Sequence, residues 1–394
     1  MKAVTWQGKR KVSTETVPDP TIQQPTDAII EVTSTAICGS DLHLYEVLGP
    51  YMNPGDILGH EPMGIVREVG SGITNLAPGD RVVIPFNISC GHCWMCTNGL
   101  QSQCETTQVR EKGTGASLLG FSELYGAVPG GQAEYLRVPH ADYGAMKVPA
   151  DGPDEQYLFL SDILPTAWQG VEYANVPEGG TLVVYGLGPV GQFAARIGVH
   201  RGYQVLAVEP EADRRAMAER HGVKTIPWGD DVVDQIREET YGRGADGVVD
   251  AVGMEAHSAP LGRTMQNVAG LLPDKLAQKA TETIGVDALT ALNSAFDAVR
   301  RGGTVSISGV YGGAKDPINM MKLFDKQVNL RMGQANVRRW TDTLMPLVSD
   351  PSDPLAVQDM TTHTGSLDDA ADLYRTFQKK DDHCIKVVLK PRGV

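Results

Sequence analysis

The chain has 394 residues, too many for one hydrophobic core to serve, so two domains are expected. Hydrophobic residues at 41% and charged ones at 21% exclude a disordered or fibrous chain, and 44 Gly with 24 Pro indicate a loop-rich globular one. A formal net charge of −13, from 35 basic and 48 acidic residues, disfavours phosphate backbones and anionic lipid as partners and leaves small molecules.

The opening stretch, MKAVTWQGKRKVSTETVPDP, alternates polar and apolar residues and lacks the apolar run of a secretory leader. No segment reaches the run of about eighteen apolar residues that a membrane span requires. A cytoplasmic protein with neither membrane nor nucleic-acid partners is expected, in a compartment where clustered cysteines hold metal more often than disulfides. Up to about residue 150, DAIIEVTSTAI, MGIVREVG and DRVVIPF read as short strands cut by Gly and Pro, which suggests a small irregular β domain. Inside it, AICGSDLH carries Cys38 and GHEPMGIVREVG carries His60. A single Cys or His is usually a core residue. Here the company differs: Gly39 and Gly59 adjoin them, Ser40 and His43 follow the first, and Glu61 follows the second.

CGHCWMC, residues 90–96, places Cys90, Cys93 and Cys96 three apart, and Cys104 follows. Thiolates at that spacing converge on one tetrahedral zinc, and four sulfurs close the shell, so a structural ion is expected and His92 is left out of it. The surroundings are not enriched in Lys or Arg, which speaks against a nucleic-acid zinc module.

From about residue 160, apolar runs alternate with helix-length segments: TLVVYG then PVGQFAARIGVHRG, QVLAVE then PEADRRAMAERHG, GADGVVDAVG, and later GGTVSISGVYG. That alternation predicts a parallel sheet buried on both faces. Gly186, Gly188 and Gly191 form G-x-G-x-x-G between a strand and a helix. They would supply the tight turn, the backbone approach to a pyrophosphate and the close helix–strand packing of a dinucleotide site. Glu209 ends the next strand, where a carboxylate accepts from ribose hydroxyls and repels a 2′-phosphate, so NAD is expected over NADP. Arg214 and Arg215 stand close by as groups that could tolerate a phosphate. Residues 254–300 read as an insertion, longer than a crossover helix needs. After about 335 the alternation stops, and a strand or loop, a helix starting near Ser366 and a last strand suggest a return to the first domain.

These motifs together resemble the zinc-containing medium-chain alcohol dehydrogenase family. GHEPMGIVREVGSGI matches its signature through Gly59, His60, Glu61, Gly64 and Gly70, CGSDLH matches the segment of the first zinc ligand, and CGHCWMC with Cys104 matches its structural zinc lobe. LSDILPTAWQG looks like the glutathione-independent formaldehyde dehydrogenase branch. The resemblance implies an α/β chain with a GroES-like β-rich catalytic domain at 1–164 (zinc lobe about 88–106), a Rossmann doubly wound cofactor domain at 165–334, and a return at 335–394. It further implies two zinc ions per chain, one structural and one catalytic on Cys38, His60 and Asp162 with a place left open.

By the same resemblance Ser40 and His43 form a proton relay, and Glu61 lies close behind the metal. Thr166 approaches the nicotinamide, Lys386 approaches the pyrophosphate, and Gly39 replaces a basic residue found in some relatives. Pro189, Val190, Arg214 and Val310 complete the expected cofactor contacts. The expected activity is hydride transfer from an alcohol or hydrated, formaldehyde-like aldehyde to NAD, in a homotetramer or homodimer. The alternatives are a general primary-alcohol or polyol dehydrogenase of this fold, and a non-catalytic zinc-binding structural protein.

Overall fold

A computed structural model describes residues 1–253, 289–311 and 318–393. The chain divides into two units, Met1–Pro165 with Ala335–Val394, and Thr166–Gln334.

In the first unit, the β-branched run after Asp27 forms the strand Ala28–Ile37, nine of whose ten residues are buried. It is the hub of its sheet, pairing antiparallel with Glu61–Val69, Tyr135–Val138 and Val387–Leu389. Ala36 lies opposite Glu61 in this ladder. The strand end that leads into Cys38 therefore adjoins the strand start that follows His60. The segment after 335 contributes helix Val337–Ser349, strand His363–Gly365, helix Ala370–Lys379 and strand Val387–Leu389, and both strands join this sheet. Ser366 and Asp369 form a capping box ahead of helix Ala370–Lys379. That helix buries Tyr374 and Phe377 against Val4, Trp6, Leu44, Tyr45 and Val387.

Among the described residues, the second unit is built on a six-stranded, wholly parallel sheet. Its spatial order is Lys224–Ile226, Gln204–Val208, Thr181–Tyr185, Ala245–Asp250, Val299–Ile307, Asn329–Met332, the doubly wound order that reverses beside its first strand. Val183, Leu206, Val208, Val248 and Val305 form its core with Phe296 of helix Thr290–Ala298. Of the insertion expected at 254–300, residues 254–288 lie outside the described residues. The remainder does not behave as an insertion: Thr290–Ala298 packs on the sheet as a helix, and Val299 opens a core strand. The strand expected in GGTVSISGVYG begins earlier, at Val299. Among the described residues no helix is long and apolar enough to cross a membrane.

Candidate metal centres and dinucleotide site

The sheet register and one loop bring together four side chains from three distant parts of the chain. Cys38 follows strand Ala28–Ile37 and caps helix Gly39–Glu46, and His60 precedes strand Glu61–Val69. Asp162 precedes helix Ile163–Ala174, in a segment pinned by the Phe86 N–H on the Ser161 carbonyl at 3.1 Å. One ligand atom each from Cys38, His60, Glu61 and Asp162 lies within 4.8 Å of all the others, and all four residues are buried. Cys38 Sγ stands 3.6 Å and His60 Nε2 3.3 Å from Asp162 Oδ2.

This donor set fits a divalent cation. His60 Nδ1 is 3.1 Å from Asp41 Oδ1, which makes Nδ1 the protonated nitrogen and leaves the lone pair on Nε2. His60 Nε2 and Glu61 Oε2 are both buried with no hydrogen-bond partner among the described residues. Such a carboxylate oxygen is costly without a partner, and a cation between it, Nε2 and the Asp162 carboxylate 3.3 Å from Nε2 would satisfy all three. With only protein groups around it, burial, then the Glu61 carboxylate, push the Cys38 thiol up to about 12. Burial opposes a charge on His60, yet Asp41, Asp162 and Cys38 together hold its pKa well above the ordinary value. Sulfur, imidazole and carboxylate are the mixed ligands of a zinc site that keeps a place open.

Asp41 escaped the sequence reading. Besides His60, its carboxylate accepts the Cys38 N–H at 2.9 Å, so one residue orients two of the candidate ligands. Its position three residues after Cys38, at the third place of a helix, was the available signal. Gly59 is required just before His60: its φ is +98°, and a Cβ there would come within 2.6 Å of the Gln132 backbone nitrogen. Ser40 and His43 share a face of helix Gly39–Glu46 and are half-buried.

Lys386 is tied into the same cluster. Its ammonium is fully buried, 2.6 Å from Glu61 Oε1 and 5.8 Å from the centre of the Phe159 ring. Burial opposes the charge, but Glu61, Cys38 and Asp162 hold its pKa above that of an ordinary lysine. It offsets the negative charge of the acidic cluster.

The second cluster holds Cys90, Cys93, Cys96 and Cys104, their sulfurs also within 4.8 Å of one another, and all are free thiols. Backbone N–H groups of Cys93 and Cys90 point at the sulfurs of Cys90 and Cys104 at 3.4 Å, and the Thr106 hydroxyl points at Cys90 Sγ at 3.2 Å. Burial works against ionisation of Cys104, yet donors from Thr107, Cys90 and Thr106 hold it down to about 6, while burial pushes Cys96 up. Four sulfurs this close ionise together only around a cation. His92 is exposed, with Nδ1 turned 3.0 Å from the Cys90 carbonyl oxygen and not toward the sulfurs. Asn336 Oδ1 accepts from Ser102 N–H and Oγ–H at 3.0 and 2.9 Å, which ties the lobe to the returning chain. Cys104→Ser is expected to lower zinc content by one ion per chain and to lower the melting temperature steeply. Such sites supply roughly 10–16 kcal/mol of apparent binding energy to the fold; calorimetry beside metal analysis checks both.

In the second unit, the parallel strands end at one edge of the sheet, where Gly186, Glu209 and Val310 follow their strands. Gly186 has φ +83°, Gly188 caps helix Pro189–His200 with Pro189 in its first turn, and Val190 follows. A Cβ on Gly191 would collide with the Gly186 carbonyl oxygen, so the turn closes only without one. Glu209 is buried, and its carboxylate accepts the Leu187 N–H at 2.6 Å and the Glu211 N–H at 3.0 Å. It braces the glycine turn itself. Arg214 Nη1 lies 3.8 Å from where a Gly188 Cβ would stand, whereas Arg215 donates to the carbonyls of Glu209 and Pro210. Thr166 belongs to this unit, and Val310 is half-exposed.

Comparison with known proteins agrees with this arrangement. Residues 24–150 match the alcohol dehydrogenase GroES-like domain and residues 189–262 the zinc-binding dehydrogenase domain. An uncharacterized zinc-type alcohol dehydrogenase-like protein of Bacillus subtilis is 42% identical over 99% of this chain and 100% of its own length. A formaldehyde dismutase of Pseudomonas putida is 33% identical over 100% of this chain and 98% of its own. Among solved structures, the alcohol dehydrogenase TADH from Thermus sp. ATN1 has a TM-score of 0.81 and 31% identity, covering 99% of each chain.

Proposed function

The chain belongs to the zinc-type alcohol dehydrogenase family, with its GroES-like and Rossmann-type domains, and from that premise we propose an NAD-linked dehydrogenase of small alcohols or hydrated aldehydes, formaldehyde-like in size. The observation that carries the proposal is the buried convergence of Cys38, His60, Glu61 and Asp162. Cys38 Sγ, His60 Nε2 and an Asp162 oxygen would hold a zinc ion. When bound, that ion supplies a Lewis acid able to lower the pKa of a substrate hydroxyl toward neutrality. NAD supplies the acceptor for the hydride.

The chain's own residues do the rest. Asp41 holds His60 in one tautomer and presents Nε2 to the cluster. Lys386 offsets the charge of Glu61, so the acidic groups remain together without water. Ser40 takes the proton of the substrate hydroxyl and releases its own toward His43 and solvent, along one face of helix Gly39–Glu46. Phe86 and Phe121 pack edge-to-face with the His60 ring, at centroid distances of 6.3 and 6.4 Å. In the second unit, Gly186, Gly188 and Gly191 would receive the pyrophosphate on the helix start, with Arg214 beside the turn and Glu209, which braces it, as the candidate acceptor for the ribose.

Likeness to the Thermus alcohol dehydrogenase favours a second reading, a general primary-alcohol dehydrogenase. NADH formation separates the two: formaldehyde should be turned over with a higher kcat/KM than ethanol, butanol or a polyol, and a preference rising with chain length would reverse the assignment. NADP in place of NAD should lower kcat/KM, because Glu209 repels a 2′-phosphate.

A cytoplasmic homo-oligomer, tetramer or dimer, completes the proposal. Six free thiols suit a reducing compartment. The edge strand Asn329–Met332 is exposed along its length, and Leu330, Met332, Met320, Met321 and Phe324 are exposed apolar side chains in the same region of the chain. Sedimentation should give a mass above 42.3 kDa, and Leu330→Glu should lower it.

A further inference from the structure

Behind Asp41 the polar contacts continue into the core of the first unit. Asp41 is fully buried, and each of its oxygens is engaged: Oδ1 with His60 Nδ1, Oδ2 with the Cys38 N–H at 2.9 Å and with Gln132 Nε2 at 3.3 Å. Gln132 is fully buried as well, and its Nε2 also faces the Ala36 carbonyl at 3.3 Å. Its Oε1 accepts the Tyr374 hydroxyl at 2.9 Å. Tyr374 sits on helix Ala370–Lys379, 242 residues further along the chain, and is fully buried.

Only one assignment of protons satisfies every partner. Two acceptors, Ala36 O and Asp41 Oδ2, face one end of the Gln132 amide, so that end must be NH2. The other end must then be the oxygen, and only a donating Tyr374 O–H satisfies it. Turning the amide over would put two oxygens against its carbonyl and its NH2 against a hydroxyl. The phenol thus fixes the amide, the amide fixes the carboxylate, and the carboxylate fixes the imidazole and the Cys38 backbone. Steric packing reinforces this order, because Gly59 leaves the space beside His60 to Gln132.

We propose that Gln132 and Tyr374 are positioning residues of the metal site, a buried relay Tyr374–Gln132–Asp41–His60 through which the returning C-terminal helix governs how firmly the ion is held. Among the described residues neither side chain hydrogen-bonds to Cys38, His60 or Asp162; both reach the site through Asp41. The relay rests on the assignment of an ion to Cys38, His60 and Asp162.

Zinc transfer from the intact holoprotein to a chromogenic chelator tests it. The phase belonging to the His60 site is the one missing from a Cys38→Ser variant; the other belongs to the four cysteines. Gln132→Met and Tyr374→Phe keep volume while removing the hydrogen bonds. Each should speed the His60-site phase about tenfold, the lower end of the 10–100-fold that outer-shell changes cost, and leave the four-cysteine phase unchanged. In a Gln132→Met background, Tyr374→Phe should add nothing, since its effect passes through the amide. Wild-type release from both variants, equal acceleration of both phases, or a full Tyr374→Phe effect in the double variant would each overturn the relay. A wild-type protein carrying zinc at the cysteines alone would overturn the metal assignment and the relay together, whereas two ions with unaltered release would overturn the relay alone.

Discussion

Asp162→Ala is expected to lower kcat/KM for any alcohol by at least about a thousandfold, beyond the 10–100-fold typical of residues outside the first ring of ligands. The carboxylate is the member of the cluster that faces both Cys38 and His60, at 3.6 and 3.3 Å. Without it, only a thiolate and an imidazole would remain beside Glu61, one of whose oxygens is committed to Lys386. Metal analysis should show zinc falling from two ions to one per chain, with the four-cysteine ion retained. Full activity in this variant would remove Asp162 from the ligand set.

Lys386→Met should be the most destabilising single change in the first unit that leaves every candidate ligand in place. Lys386 and Glu61 are both fully buried and 2.6 Å apart. Burial already pushes the Glu61 pKa up, and Lys386 is the largest influence drawing it back. Taking the ammonium away leaves a carboxylate in the core without its counter-charge, which costs about 3–5 kcal/mol. Urea unfolding measures the loss. Combining Lys386→Met with Glu61→Gln should recover much of it, because the pair disappears instead of half of it. A loss below about 1 kcal/mol, the scale of an exposed ion pair, would mean that the pair is solvated.

What could be read from the sequence was what is local. The spacing of Cys90, Cys93 and Cys96 folds into a knot almost by itself, and G-x-G-x-x-G between an apolar run and a helix brings its own geometry. Cys38, His60 and Asp162 were linked by family resemblance; their physical meeting depends on the pairing of Ala36 with Glu61, a register that no local pattern prints. Asp41 lay one step away, marked by its place in a helix cap. Gln132 and Tyr374 carried no mark, since a glutamine before a strand and a tyrosine on an amphipathic helix gain their roles only where distant segments meet. Lys386 was linked to the pyrophosphate by family resemblance alone, and its ion pair with Glu61 depends on tertiary packing that no local pattern shows. Glu209 was placed at the correct end of its strand, but the Leu187 N–H it accepts was invisible without the turn's conformation.

The most direct test is a crystal structure of the zinc-loaded protein with anomalous data collected at the zinc edge. Two peaks are predicted per chain, one among Cys90, Cys93, Cys96 and Cys104, the other bonded to Cys38 Sγ, His60 Nε2 and an Asp162 oxygen at roughly 2.0–2.3 Å. A single peak at the four cysteines, with Cys38, His60 and Asp162 bonded to no ion, would contradict the account.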